Sequence, residues 1–138
     1  MHTPLAIINF TPDSFSDGGK FFSSKESLSR IRFLKGIGIT CVDIGAQSTA
    51  PLNDDVGESE EITRLSTLLS DDFIIELEGM TLSLDTFRPG VVDFVWDRVK
   101  DSGLLEFIWN DVSGIQCDET LNCCLHLYFL AHYQNLIS

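Results

Sequence analysis

The sequence predicts an α/β protein in which four β-strands, each followed by a helix, form one right-handed parallel sheet. Three observations carry that prediction. Short apolar runs bounded by glycine or polar residues recur at Leu5–Asn9, 40–45, Thr81–Asp85 and 105–110, as buried parallel strands should. Segments with apolar residues at helical spacing lie between them. Each run also ends in polar groups: Asn9, then Asp43 and Gln47, then Asp85, then Asn110 and Asp111.

The first strand, Leu5-Ala6-Ile7-Ile8, cannot continue through Thr11-Pro12, because proline has no N–H to give to a ladder. Ser24-Lys25-Glu26-Ser27-Leu28 opens a helix with Leu28, Ile31 and Leu34, and then Ile37, at spacing three, closed by Gly36 and Gly38. After the second strand, 58–69 reads as a helix with Ile62, Leu65, Leu68 and Leu69 on one stripe. An Asp-rich connection leads to the third strand, and 90–100 follows as a helix carrying Val91, Val92, Val95 and Val99. The fourth strand precedes a helix over 120–135, where Leu121, Cys124, Leu125, Tyr128 and Phe129 share a stripe but Leu127 and Leu130 lie off it. A helix apolar all round expects cover on more than one side.

At 138 residues and 43% hydrophobic composition, one core and a single domain over residues 1–138 are expected. No run of 18 apolar residues occurs, and Met1-His2-Thr3-Pro4 lacks the basic start of a signal peptide, which predicts a cytoplasmic protein with no membrane partner. Cys41, Cys117, Cys123 and Cys124 form no CxxC pair, so reduced thiols are expected. A net charge of −12 with no basic run argues against nucleic acid. Residues 101–138 contain no Lys or Arg, so an anionic substrate would need a metal or cations from elsewhere.

The chemistry is expected at the C-terminal ends of the strands, where barrel enzymes keep theirs. Asp85 and Asn110 close successive strands and could face one flat ligand. A carboxylate accepts two donors and a carboxamide offers both kinds of group, the combination that reads the amidine edge of a heterocycle. Taken singly, Asp85 could instead cap the helix after Arg88-Pro89, and Asn110 could fix a turn. Asp13 in Pro12-Asp13-Ser14 could likewise bond its own backbone in a turn.

Four segments in register carry a family resemblance. Asn9-Phe10-Thr11-Pro12-Asp13-Ser14-Phe15-Ser16-Asp17-Gly18-Gly19 resembles the first signature of dihydropteroate synthases, and Asp43-Ile44-Gly45-Ala46-Gln47-Ser48-Thr49-Ala50-Pro51 the second. Asp85-Thr86-Phe87-Arg88-Pro89 and Asn110-Asp111-Val112-Ser113-Gly114 are similar to the third and fourth. The resemblance implies a pterin-binding TIM (β/α)8 barrel, of which this chain would supply the N-terminal (βα)4 half. It implies an enzyme of folate biosynthesis that joins 6-hydroxymethyl-7,8-dihydropterin diphosphate to p-aminobenzoate, releasing pyrophosphate, with Mg2+ assisting. By resemblance, Asp85, Asn110 and Val112 would hold the pterin, and Asn9 would sit at the metal and diphosphate. Asp13, Asn9 and Thr49 would serve catalysis, Asp13 facing the developing carbocation. Thr11, Pro12, Phe15, Ser48 and Pro51 would line the p-aminobenzoate side.

The second signature departs from the family's Glu-Ser-Thr-Arg-Pro, since Gln47 stands for the glutamate and Ala50 for the arginine. A methyl group makes no charge-assisted contact to diphosphate, so reduced activity is expected. The family barrel has eight strands and about 250 residues, so catalysis by this chain alone is expected to be weak or absent. An open half-barrel would also expose strand edges and invite self-association. A non-catalytic pterin-binding or regulatory module is a second reading, and a pterin-dependent methyltransferase, which has no use for the Thr-Pro-Asp-Ser-Phe loop, a third. Cys123 and His126 stand three apart on the last helix, but with no two further converging ligands they read as packing residues, and His132 has no assigned role.

Overall fold

The computed structural model describes residues 4–9, 24–46 and 57–111. In chain order these form β1 (Leu5–Asn9), α1 (Ser24–Gly36), β2 (Cys41–Gly45), α2 (Glu58–Leu68), α3 (Asp71–Glu76), β3 (Thr81–Asp85), α4 (Pro89–Val99) and β4 (Glu106–Asn110). The four strands make one sheet in the order β1-β2-β3-β4, and every neighbouring pair is parallel. The expected order of strands and helices is therefore observed through the fourth strand. The expected helix over 120–135 lies outside the described residues.

Side-chain alternation divides the sheet into two unlike faces. Val42, Ile44, Leu82 and Leu84 turn toward the helices and are fully buried, as are Ile31 of α1, Leu65 and Leu68 of α2, Phe73 of α3, and Val91, Val92, Val95 and Val99 of α4. Each fully buried aliphatic or aromatic side chain of this kind is worth about 1.5–3 kcal/mol over an exposed one. The opposite face carries Asp43 and Ser83, both buried, between the exposed Leu5 and Ile7 of β1 and Ile108 of β4. That is the face a closed barrel would turn inward.

The returns from helix to strand share one device. Gly38, Gly79 and Gly103 precede β2, β3 and β4 with φ of 86°, 74° and 78°, a left-handed backbone that side chains disfavour. The Gly79 N–H also donates to the Gly103 carbonyl at 2.9 Å, joining two of these turns at the N-terminal edge of the sheet.

Three details differ from the sequence expectation. The Asp-rich connection contains α3: the Ser70 side chain accepts from the Phe73 N–H, Asp71 and Asp72 sit in the first turn, and Phe73 is buried. Ile37 leaves the apolar stripe of α1, because the helix stops at Gly36 and the turn exposes Ile37. β2 and β4 each start one residue later than expected, and α4 starts one residue earlier, on Pro89. Proline suits the first turn of a helix, where its missing N–H has no partner to lose.

Candidate functional site

In-step pairing of the parallel strands brings their last residues into one row. Asn9 pairs with Gly45, Gly45 with Asp85, and Asp85 with Asn110. The two residues read as gripping a heterocycle are thus direct neighbours across β3 and β4, at the same end and on the same face of the sheet. Asn9 joins the row through its backbone, with glycine between it and Asp85, which leaves the middle of the row without a side chain.

The loop that follows Asp85 is closed by a bond within itself and pinned by two other elements. The Arg88 N–H donates to Thr86 Oγ1 at 3.2 Å, and the Trp109 indole N–H of β4 donates to the Thr86 carbonyl at 2.7 Å. The Arg88 guanidinium donates to Glu61 Oε2 at 2.7 Å and lies 4.4 Å from the centre of the Phe87 ring. Glu61 is fully buried in the first turn of α2, and Arg88 is 12% exposed at its side chain. This pair ties the start of α2 to the turn that aims Asp85. The helix-cap reading of Asp85 is not what the backbone uses, since the residue capping α4 is Arg88, with no side-chain cap bond. The second loop is anchored where it begins, by Arg64 Nη1 donating to the Ala46 carbonyl at 3.2 Å.

Burial pushes the Asp85 carboxyl above the usual aspartate range, and the negative charges of Asp43, Glu61 and Asp111 add to the effect. Asp85 is only half-buried, so a ligand can reach it. A carboxyl held in this way gains most from a ligand edge rich in N–H donors, which satisfies its oxygens and offsets the neighbouring charge. At the other end of the sheet, burial raises the Cys41 thiol, with Glu106 and Asp43 contributing, which makes it a poor nucleophile.

Among the described residues, no group of three His, Cys, Asp or Glu could hold a metal ion. Asn9, the residue that the family resemblance would put at a magnesium ion, stands in the row by its backbone pairing with Gly45. Thr11, Pro12, Asp13, Phe15, Gln47, Ser48, Thr49, Ala50, Pro51 and Val112 lie outside the described residues, as do Cys117, Cys123, Cys124, His126 and His132. Among the described residues no helix is long and apolar enough to cross a membrane.

Two functional contributors escaped the sequence reading. Glu61 stands four and seven residues before Leu65 and Leu68, on the buried stripe of α2, and that spacing could have marked it as buried. Its partner Arg88 carries no such signal, because it caps α4 from a loop.

Comparison with known proteins places these features in a family. The family model described as "Pterin binding enzyme" matches residues 5–125. The folate synthesis bifunctional protein of Arabidopsis thaliana is 40% identical over 119 residues, which is 86% of this chain and 23% of that protein. The dihydropteroate synthase of Xanthomonas albilineans, solved with 4-aminobenzoic acid, superposes with a TM-score of 0.70 at 29% identity, covering 89% of this chain and 43% of that one. The dihydropteroate synthase of Anaplasma phagocytophilum, solved with bound 6-hydroxymethylpterin-monophosphate, gives a TM-score of 0.56 at 31% identity, covering 68% and 36%. The chain therefore spans less than half the length of each of these relatives. Four parallel strands in sequential order are the proportion expected of half an eight-stranded barrel.

Proposed function

This chain belongs to the pterin binding enzyme family, and we propose that it supplies the pterin-gripping half of a dihydropteroate synthase. The reaction would join 6-hydroxymethyl-7,8-dihydropterin diphosphate to p-aminobenzoate. A C–N bond forms between the pterin methylene and the arylamine nitrogen, the C–O bond to diphosphate breaks, and the amine gives up a proton. The observation that supports this reading is the direct pairing of Asp85 with Asn110 at the strand ends. Asp85 would accept the ring N–H and one amino N–H of the pterin, while the Asn110 amide would donate to an unprotonated ring nitrogen. Fixing the flat ring there would hold its methylene in one orientation for attack by the arylamine.

Asp13 would sit beside the positive charge that develops as diphosphate departs, and Val112 beside the ring. Thr11, Pro12, Phe15, Ser48, Thr49 and Pro51 would form the walls that receive p-aminobenzoate. Bound with the diphosphate, magnesium would supply positive charge to the leaving group, and Asn9 is the residue of this chain that would hold it. Residues 101–138 contain no Lys or Arg for that role, so these 138 residues alone would turn over weakly or not at all.

Ala50 in place of the family's arginine, together with the share of the relatives covered, favours a second reading, a pterin-binding module without catalysis. The exposed Leu5, Ile7 and Ile108 on the inner face suit self-association, whereas the charge of −12 suits no nucleic acid. The chain is read as cytoplasmic, on reduced thiols of which Cys41 is one. Calorimetric titration with the pterin diphosphate, with and without magnesium and p-aminobenzoate, tests the proposal. Binding with product supports the enzyme and binding without product the module. Absence of binding overturns both.

A further inference from the structure

Asp43 sits at the centre of β2 between Val42 and Ile44, whose side chains are fully buried against the helices. Alternation turns it to the other face, the one that carries Asp85 and Asn110. Its register partners there are Ile7 and Ser83, so Asp85 is its diagonal neighbour, two residues further along the adjacent strand. With strands about 4.8 Å apart and a rise of about 3.3 Å per residue, the two backbone positions lie about 8 Å apart. Asp43 as a residue is only 6% exposed, and among the described residues its buried Oδ1 has no hydrogen-bond partner. Folded proteins satisfy such buried acceptors or put them to use.

We propose that Asp43 is a third ligand-contacting residue of this site, its Oδ1 accepting one N–H of the amino group on the heterocycle that Asp85 and Asn110 grip. The inference rests on the pterin reading above and extends it to the determinant of amino-group selectivity. A 2-amino-4-oxopteridine offers a ring N–H and two amino N–H groups along one edge. One carboxylate takes the ring N–H and one amino N–H in parallel, which leaves the second amino N–H for another acceptor. Asp43 is the acceptor the fold supplies there, already desolvated and short of a donor. The upward push that Asp43 exerts on the Asp85 carboxyl agrees with two acids close enough to share one donor-rich edge.

The test is calorimetry on the full 138-residue chain with 6-hydroxymethylpterin and with its analogue bearing oxygen in place of the 2-amino group. The variants are Asp43→Ala, Asp43→Asn and Asp85→Asn. Asp43→Ala should weaken the pterin about tenfold, or ~1.4 kcal/mol, while changing the 2-oxo analogue by less than about twofold. Asp43→Asn keeps the volume and one acceptor, and should retain part of the selectivity with an undiminished melting temperature. Equal losses for both ligands, or pterin binding by Asp43→Ala as tight as by the parent, overturn the proposal. If Asp85→Asn abolishes binding while Asp43→Ala does not, Asp43 alone is misassigned. If the parent chain binds neither ligand, the pterin reading itself falls and Asp43 falls with it.

Discussion

Replacing Arg88 with methionine should remove the charge that balances Glu61 while keeping most of the packing of its stem. Glu61 is fully buried and lies 2.7 Å from the guanidinium, so the substitution leaves a carboxylate in the protein interior without that cation. Breaking a buried pair on one side costs about 3–5 kcal/mol, against about 5–15 kcal/mol for the whole stability of a typical domain. With a urea slope of about 2 kcal/mol per molar, the unfolding midpoint should fall by about 2 M. Converting both partners, Glu61→Leu with Arg88→Met, should recover most of the loss, because the charges then leave together. The exposed pair Arg64–Glu60, in which Glu60 is 57% exposed, is the control, and Glu60→Ala should cost under about 1 kcal/mol. Urea unfolding followed by circular dichroism reads all four proteins. A loss below about 1 kcal/mol for Arg88→Met, or a double variant no better than the single one, refutes the reasoning.

Asp85→Asn carries a pH signature. The folded carboxyl titrates above its ordinary value of 3.8, so below that value both folded and unfolded forms are protonated and ionisation costs the fold nothing. As pH rises through the raised value, the unfolded chain ionises more readily and stability is lost. Asp85→Asn should therefore be more stable than the parent at neutral pH and equal to it near about pH 3, as urea midpoints at the two pH values would record. A stabilisation independent of pH contradicts the assignment. In the core, Leu65→Ala at a fully buried site should cost about 2–5 kcal/mol in thermal unfolding, whereas Leu105→Ala, 74% exposed, should stay within about 0.5 kcal/mol.

The strands were legible because each is a short apolar run closed by polar residues, and Leu5–Asn9 and Thr81–Asp85 fall where that pattern puts them. Their parallel, sequential order followed from the helical segments between them. The helix Asp71–Glu76 was not legible from periodicity, since six residues cover fewer than two turns, although Ser70 followed by two aspartates is a cap signal. Ile37 misled because spacing alone does not say where a helix stops, and Gly36 ended it. For the site, the sequence indicated that Asp85 and Asn110 close successive strands, and the register makes them direct neighbours. The Glu61–Arg88 pair depends on how α2 meets the loop after β3, a tertiary property that local pattern does not encode. The four motif segments anticipated the family, and the match over residues 5–125 bears them out.

On the proposed function, one flat amino-heterocycle lies between the ends of β3 and β4. Nuclear magnetic resonance on labelled protein tests this placement most directly, by following the Asn110 side-chain amide and the Asp85 carboxyl carbon as 6-hydroxymethylpterin is added. Both signals should move together along one saturating curve, and the titration of the Asp85 carboxyl should move downward in the complex as it meets N–H donors. Signals at both residues that stay fixed while the ligand binds elsewhere would contradict it.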